Sequence, residues 1–299
     1  MMEYHIPVLL KESLDALQIR PDGIYIDATF GAGGHSKPIL KQLSAKGHLY
    51  GFDQDVDVEE NLLEKENFTF IRSNFRHMHR FMRLYQQESV DGILMDLGVS
   101  SHQINMPERG FSYRYDAPLD MRMNQSAEFS ATDLVNGYDK KELQYVLSRY
   151  GEVRNARTLA DRIVKVRSHR SVETTFQLNE ILDQVSIGSK VKYYSQVYQA
   201  IRMEVNDEVG ALEEALEGGL KCLRKGGRMV VISYHSLEDR LVKRFFKTGN
   251  VKGVLDKNEY GHILTSIKQI NKKLVLPSEE EVKRNNRARS AKMRIGEKV

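Results

Sequence analysis

A single cysteine, Cys222, stands in a chain of 299 residues. A disulfide framework is therefore excluded, and the composition suits a reducing cytoplasm. No run approaches the roughly 18 apolar residues that a membrane span requires, so no membrane partner is expected. The first residues, Met1-Met-Glu-Tyr-His-Ile-Pro7, have no basic segment leading into an apolar one and do not read as a signal peptide. Internal repeats and low-complexity linkers are missing as well. The expected location is cytoplasmic. Charge of one sign is scarce: 45 Lys and Arg against 41 Asp and Glu leave a formal +4. That mild basic excess permits a nucleic-acid partner without requiring one. The length allows two domains, or one large α/β domain carrying an insertion. Oligomeric state is hidden, with a homodimer among the open alternatives.

Two nucleotide signatures are also lacking. Ile24-Tyr-Ile-Asp-Ala-Thr-Phe-Gly-Ala-Gly-Gly-His-Ser36 reads as a buried strand, a glycine turn and a helix start, with Pro38 in the first helical turn where its missing N–H costs nothing. Such a unit binds a nucleotide. Yet Gly-x-Gly-Gly is neither the dinucleotide fingerprint nor a phosphate loop, which would end in Gly-Lys-Ser/Thr. Asp27 at the strand end would repel a phosphate and attract a sulfonium or ammonium. The next strand, His48–Asp53, ends in an acid suited to both ribose hydroxyls. A third strand-end acid follows in Asp91-Gly-Ile-Leu-Met-Asp96. A lone Asp at a strand end commonly caps a turn. Three on one sheet edge favour a cationic nucleotide, S-adenosylmethionine, over NAD or ATP.

Strand signals fall at 24–28, 48–53, 68–71 and 91–96, then stop, and return at Arg228–Ser233. An amphipathic helix precedes that return, carrying Ile201, Val205, Val209, Leu212, Leu216, Leu220 and Leu223 and ending at Gly226-Gly227. The expected organisation is a doubly wound α/β methyltransferase sheet formed by 1–104 and 206–299. A helical substrate-recognition insertion, 105–205, separates its fourth and fifth strands and would serve as a lid.

The ordered motifs Ile26–Ser36, Asp96-Leu-Gly-Val-Ser-Ser101, Arg109-Gly-Phe-Ser-Tyr113 with Pro118–Met123, and Ile232-Ser-Tyr-His-Ser-Leu-Glu-Asp-Arg240 resemble one family. His5–Leu10 and Asn286–Lys292 look like it too. It is the bacterial ribosomal RNA small-subunit methyltransferase H family (RsmH, formerly MraW). The resemblance implies a class I S-adenosylmethionine-dependent enzyme that methylates the exocyclic N4 of a cytidine in the decoding centre of 16S rRNA. It implies cofactor contacts at Gly33, Gly34, His35, Asp53, Phe75, Asp96 and Gln103, beside the Asp27 read from the turn. A ring such as Phe75 could stack on adenine or pack in the core. The chain departs from the pattern at Lys192–Gln199, where family members commonly carry His-Pro-Ala and an Arg-x-Phe-Gln run. Tyr193, Tyr194 and Tyr198 there could provide stacking surface, with buried packing the favoured role.

Cytosine N4 is a poor nucleophile because its lone pair is delocalised into the ring, so an acceptor beside its N–H groups would help the transfer. Asp96 and the carbonyls of Leu97 to Val99 are the candidates for that role. A base drawn from its stack needs aromatic surface; Phe111, Tyr113 and Tyr115 could provide it or simply pack the insertion. Cations for phosphate contact gather at Arg149–Arg170, read as one helical stretch of the insertion, at Lys243, Arg244 and Lys247, and at Lys283–Arg294. Other chemistries lack their parts. Ser233, His235, Ser236 and Asp239 are sequence neighbours without a nucleophile elbow, His77 and His79 have no ligand-spaced companions, so no metal is expected, and Cys222 reads as packing.

Overall fold

The computed structural model describes residues 7–261, 263–271 and 273–299, with the backbone alone of Ile263; His5 and Ile6 of the N-terminal motif lie outside the described residues. The chain separates into two compact units, Met1–Gly98 with Val209–Val299, and Val99–Glu208. The sequence places these boundaries at 104/105 and 205/206.

In the first unit, α1 (Leu10–Leu17), β1 (Ile24–Asp27), α2 (Ser36–Gln42), β2 (His48–Asp53), β3 (Phe68–Arg72), α3 (Met78–Leu84) and β4 (Val90–Asp96) alternate. Their strands are continuous apolar runs because a parallel sheet covered by helices is buried on both faces. Tyr25, Ile26, Leu49, Phe52, Ile93 and Leu94 are all buried.

The second unit holds α4 (Ser101–Asn105), α5 (Ala131–Gly137), α6 (Lys140–Gly151), α7 (Ala156–Arg167), α8 (Thr175–Val185) and α9 (Lys190–Val205). One apolar cluster unites them, including Leu134, Leu147, Leu159, Ile163, Leu178, Tyr193 and Val197. Apolar residues three and four apart put one stripe of each helix into that cluster.

The chain returns to the sheet through α10 (Glu208–Cys222) and β5 (Leu223–Ser233), then α11 (Ser236–Thr248), the two-residue strands β6 (Asp256–Lys257) and β7 (Ile263–Leu264), β8 (Ile267–Gln269), α12 (Glu279–Arg284) and β9 (Lys292–Lys298). The seven-stranded order is β3-β2-β1-β4-β5-β9-β8. Strands β1 to β5 run parallel, while β9 is antiparallel to β5 and to β8. Strand order reverses between β1 and β4. In a doubly wound sheet that reversal opens a crevice at the carboxyl ends of those strands, where ligands bind.

Two expectations are corrected. The single helix read over 201–223 is two, because the chain turns at Asn206 and Asp207, the latter with φ +44°. The second of these stops at Cys222, ahead of the glycines. Leu223 already pairs with Val90, and the ladder resumes only at Arg228 opposite Gly92. Gly226, at φ +73°, takes up the slack in that irregularity, not at a helix end.

Candidate active site

The residues from Ala28 to Ser36 cross from β1 to α2 and are tied down on both sides. Ala28 N–H donates to the Leu94 carbonyl and Phe30 N–H to the Phe52 carbonyl, so the turn bridges β4 and β2. Gly31 and Gly33 take φ +52° and +71°, a region open to glycine at no steric cost. Gly34 is needed for a different reason, since a Cβ there would lie 2.6 Å from Pro7 Cγ. No atom comes within 4 Å of a Cβ built on Gly31, leaving open room over the turn.

Asp27 is 1% exposed. Its carboxylate accepts from Ser36 Oγ at 2.7 Å and from Thr29 N–H at 3.2 Å. This corrects the expectation that it faces a ligand: both oxygens hold the turn, and burial raises its pKa despite His35 nearby. Asp53 accepts from Gly31 N–H at 2.9 Å and Asp55 N–H at 3.0 Å, and burial lifts it to about 6. The Gln54 backbone N–H opposes that rise together with those two, so the carboxylate is held by backbone donors of the glycine turn and of its own loop.

Asp96 stands at the centre. Its N–H donates to Thr29 Oγ1 at 2.8 Å, and its Oδ1 accepts from Tyr234 Oη at 2.7 Å. Its Oδ2 lies 3.8 Å from His35 Nδ1, and 23% of the side chain is open to solvent. Because His35 Nε2 donates to the Val8 carbonyl at 3.1 Å, the ring is oriented with Nδ1 toward Asp96. Burial pushes Asp96 up to about 6. His35 and Tyr234 oppose that rise, while Asp27 and Glu238 add to it.

Tyr234, unmarked by sequence reasoning as a site residue, is the partner that fixes Asp96. It directly follows β5, beside the Asp96 that ends the neighbouring β4, and its N–H donates to Glu238 Oε2 at 2.9 Å. Its ring lies 3.5 Å from where a Cβ of Gly98 would be. The signal was present, since strand ends at the same sheet edge converge, but a tyrosine between Ser233 and His235 draws notice only for its neighbours. Ser233 Oγ in fact donates to the Lys292 carbonyl and Asp239 pairs with Arg294, so the triad look-alike is dispersed.

The remaining expected residues are placed as follows. Phe75 follows β3 and packs against the sheet core. Gln103 belongs to the second unit, buried in a capping box in which its N–H donates to Ser100 Oγ and its Oε1 accepts from Ser100 N–H. In the same unit Phe111 lies under the Arg109 guanidinium, 5.8 Å from its ring centre, and Tyr113 meets Tyr194 and Tyr198 edge-on at 5.5 and 5.6 Å. Both rings border the helical core, which accounts for them as packing; Tyr115 is 51% exposed. The cations at 149–170 do not share one helical stretch: Arg149 is on α6, Arg157 to Arg167 on α7, and Arg154 and Arg170 are in connections. Arg294 is buried against Asp239 at 2.8 Å and is no phosphate ligand. Cys222 is a core residue whose thiol burial raises to about 12.

A glycine turn with room above it, an acid at the end of the next strand and a partly open carboxylate at the end of β4 fit a cationic nucleoside. The match to known proteins is decisive: the model of the MraW methylase family fits residues 2–299. The chain belongs to that family. This methylase is 52% identical to the ribosomal RNA small subunit methyltransferase H of Parabacteroides distasonis, over 99% of this chain and 98% of that one. It is 53% identical to the protein of the same name from Flavobacterium johnsoniae, over 100% and 99%. A solved rRNA methylase from Streptococcus thermophilus aligns over 99% of each chain at 14% identity and TM-score 0.44, too distant to bear on function. The methyl donor is S-adenosylmethionine.

Proposed function

We propose that this methylase transfers a methyl group to the exocyclic N4 of a cytidine in the decoding centre of 16S rRNA. The observation that carries the reading is Asp96, a partly open carboxylate at the end of β4 with one oxygen fixed by Tyr234. The shared name of its half-identical relatives supports the small-subunit rRNA as substrate.

S-adenosylmethionine supplies an electrophilic methyl group on a sulfonium. The protein's residues do the rest. Asp53 would hold the ribose hydroxyls, the backbone of Gly33, Gly34 and His35 would border the amino-acid end, and the partly buried Phe75 would flank the base. Asp27 holds the turn in shape. Asp96 Oδ2 would accept an N–H of the target amine and turn its lone pair out of conjugation; as the N–C bond forms the sulfonium's S–C bond breaks, leaving a neutral thioether, and the proton the amine sheds passes to Asp96. Holding acceptor and donor in line is itself worth up to about 7–11 kcal/mol of barrier. Tyr234 supports this by occupying Oδ1, so that Oδ2 is the oxygen presented.

The test is incubation with methyl-labelled S-adenosylmethionine and small ribosomal subunits lacking the modification, followed by digestion and mass spectrometry of the nucleosides. Label in N4-methylcytidine, or its 2′-O-methylated form, is expected. Label confined to another nucleoside, or to protein, would sink the assignment.

A further inference from the structure

The outer face of α11 has no part in the site described above. Past its first turn, the exposed residues of this helix are Arg240, Lys243, Arg244 and Lys247, while Leu241, Val242, Phe245 and Phe246 are buried. Positions i, i+3, i+4 and i+7 share one side of a helix, so the four cations form an unbroken stripe. The acids of this helix, Glu238 and Asp239, are turned away from it. Glu238 is buried against His235, and Asp239 is engaged by Arg294 and Lys292. Arg240 and Arg244 have interactions within the protein, the latter 3.7 Å from Glu213, whereas Lys243 and Lys247 make no ion pair among the described residues. The Arg244 stem also lies across the next turn, where a Cβ on Gly253 would come 2.5 Å from its Cδ. Lys252 sits on that turn and is exposed.

Position gives the stripe a meaning. The helix starts at Ser236, two residues after Tyr234, and therefore at the sheet edge that holds Asp96. From Arg240 to Lys247 the stripe runs for about 10 Å at 1.5 Å per residue, the axial length of about three nucleotides of one strand. We infer that this face of α11 is a docking track for the RNA backbone, seating the phosphates that flank the target nucleotide. The inference rests on the rRNA reading and adds where the RNA lies. A lipid surface fits less well, because the apolar side of the helix is fully committed to the core and nothing is left to enter a bilayer.

The full-length protein would be compared with K243Q/K247Q and with a control of equal charge change elsewhere, K46Q/K225Q, after melting curves establish that all are folded. Binding to unmodified 16S rRNA and to unmodified small subunits would be followed across a salt series, together with methyl transfer. The expected result is binding weakened about tenfold or more for K243Q/K247Q alone, and a log–log salt dependence shallower by about 2, one for each lysine. The maximal rate at saturating RNA should be unchanged, because lost uniform binding raises KM only. Equal behaviour of the two variants would overturn the proposal. So would normal binding to free rRNA with a defect confined to assembled subunits, which would make a ribosomal protein the occupant. If the wild type binds RNA but methylates none of it, the substrate reading fails instead, and the same assay shows it.

Discussion

Asp96 and Asp53 are carboxyls kept where water would ionise them more readily, and the consequence for stability has a definite sign. Their pKa in the folded protein is about 6, above the ordinary carboxylate value of about 4, with burial the largest cause. The folded state therefore holds these protons more tightly than the unfolded chain. Their contribution to stability is most favourable below about pH 4 and is lost as pH rises through 6. Asp96→Asn removes that liability while keeping an oxygen for Tyr234 Oη. At pH 7 without cofactor it should stabilise the protein by roughly 1–3 kcal/mol, since each pKa unit is worth about 1.4 kcal/mol. In denaturant titrations the gain should vanish near pH 4. Methyl transfer should fall by about 10²–10³-fold, as for the loss of one charge-stabilising group. A variant neither stabilised nor slowed would mean that Asp96 is an ordinary loop acid.

The break between α9 and α10 shows how an element boundary is set by contacts remote in sequence. Ile201 to Leu223 has continuous helical periodicity, and nothing local forces a stop. Asn206 Oδ1 accepts from Met123 N–H at 2.7 Å, and its Nδ2 donates to the carbonyls of Met121 and Arg202, both at 2.8 Å. Met121 is itself buried with φ +60°, a conformation few side chains adopt without support. Asn206→Ala would take this partner from two backbone groups, Met123 N–H and the Met121 carbonyl, costing about 1–3 kcal/mol. Thermal melting should show this destabilisation, and hydrogen exchange should locate it at Met121 and Met123. An unchanged melt would mean that water replaces the side chain at no cost.

Across the whole molecule, the last strand in the chain is an inner one, seated between β5 and β8. Residues Lys292 to Glu297 pair with Ser233 to Arg228, Met293 and Ile295 enter the core, and Arg294 and Glu297 pair with Asp239 and Arg228. A chain ending at Ala291 would lose that ladder and leave β5 as an open apolar edge, which invites aggregation. At about 1.5–3 kcal/mol per buried side chain, the loss of Met293 and Ile295, with two ion pairs and the ladder, consumes most of a typical folding margin of about 5–15 kcal/mol. Little soluble protein should be recovered, and its far-UV circular dichroism should lack a cooperative melt. A soluble, cooperatively melting product would show that the first unit holds without β9.

The continuous apolar strands, the glycine turn and the three strand-end acids were legible in the residues themselves, because burial on both faces, positive φ and buried charge each restrict the residue types allowed. With the family motifs they point to an S-adenosylmethionine site on a doubly wound sheet. The partition of the acids was not legible. Asp27 and Asp96 look alike in sequence, yet one is buried under Ser36 and Thr29 while the other is partly open and held by Tyr234, a partner that comes from beyond another strand. The same holds for Arg294, a basic-tail residue by sequence and a buried ion pair in the fold. Tyr234 reaches Asp96 across 138 residues, a distance no local pattern spans. Sequence determined which residue types stand at the sheet edge; the pairing of β4 with β5 decided that Tyr234 meets Asp96 there, because only the folded sheet brings residues so far apart in the chain into hydrogen-bond reach.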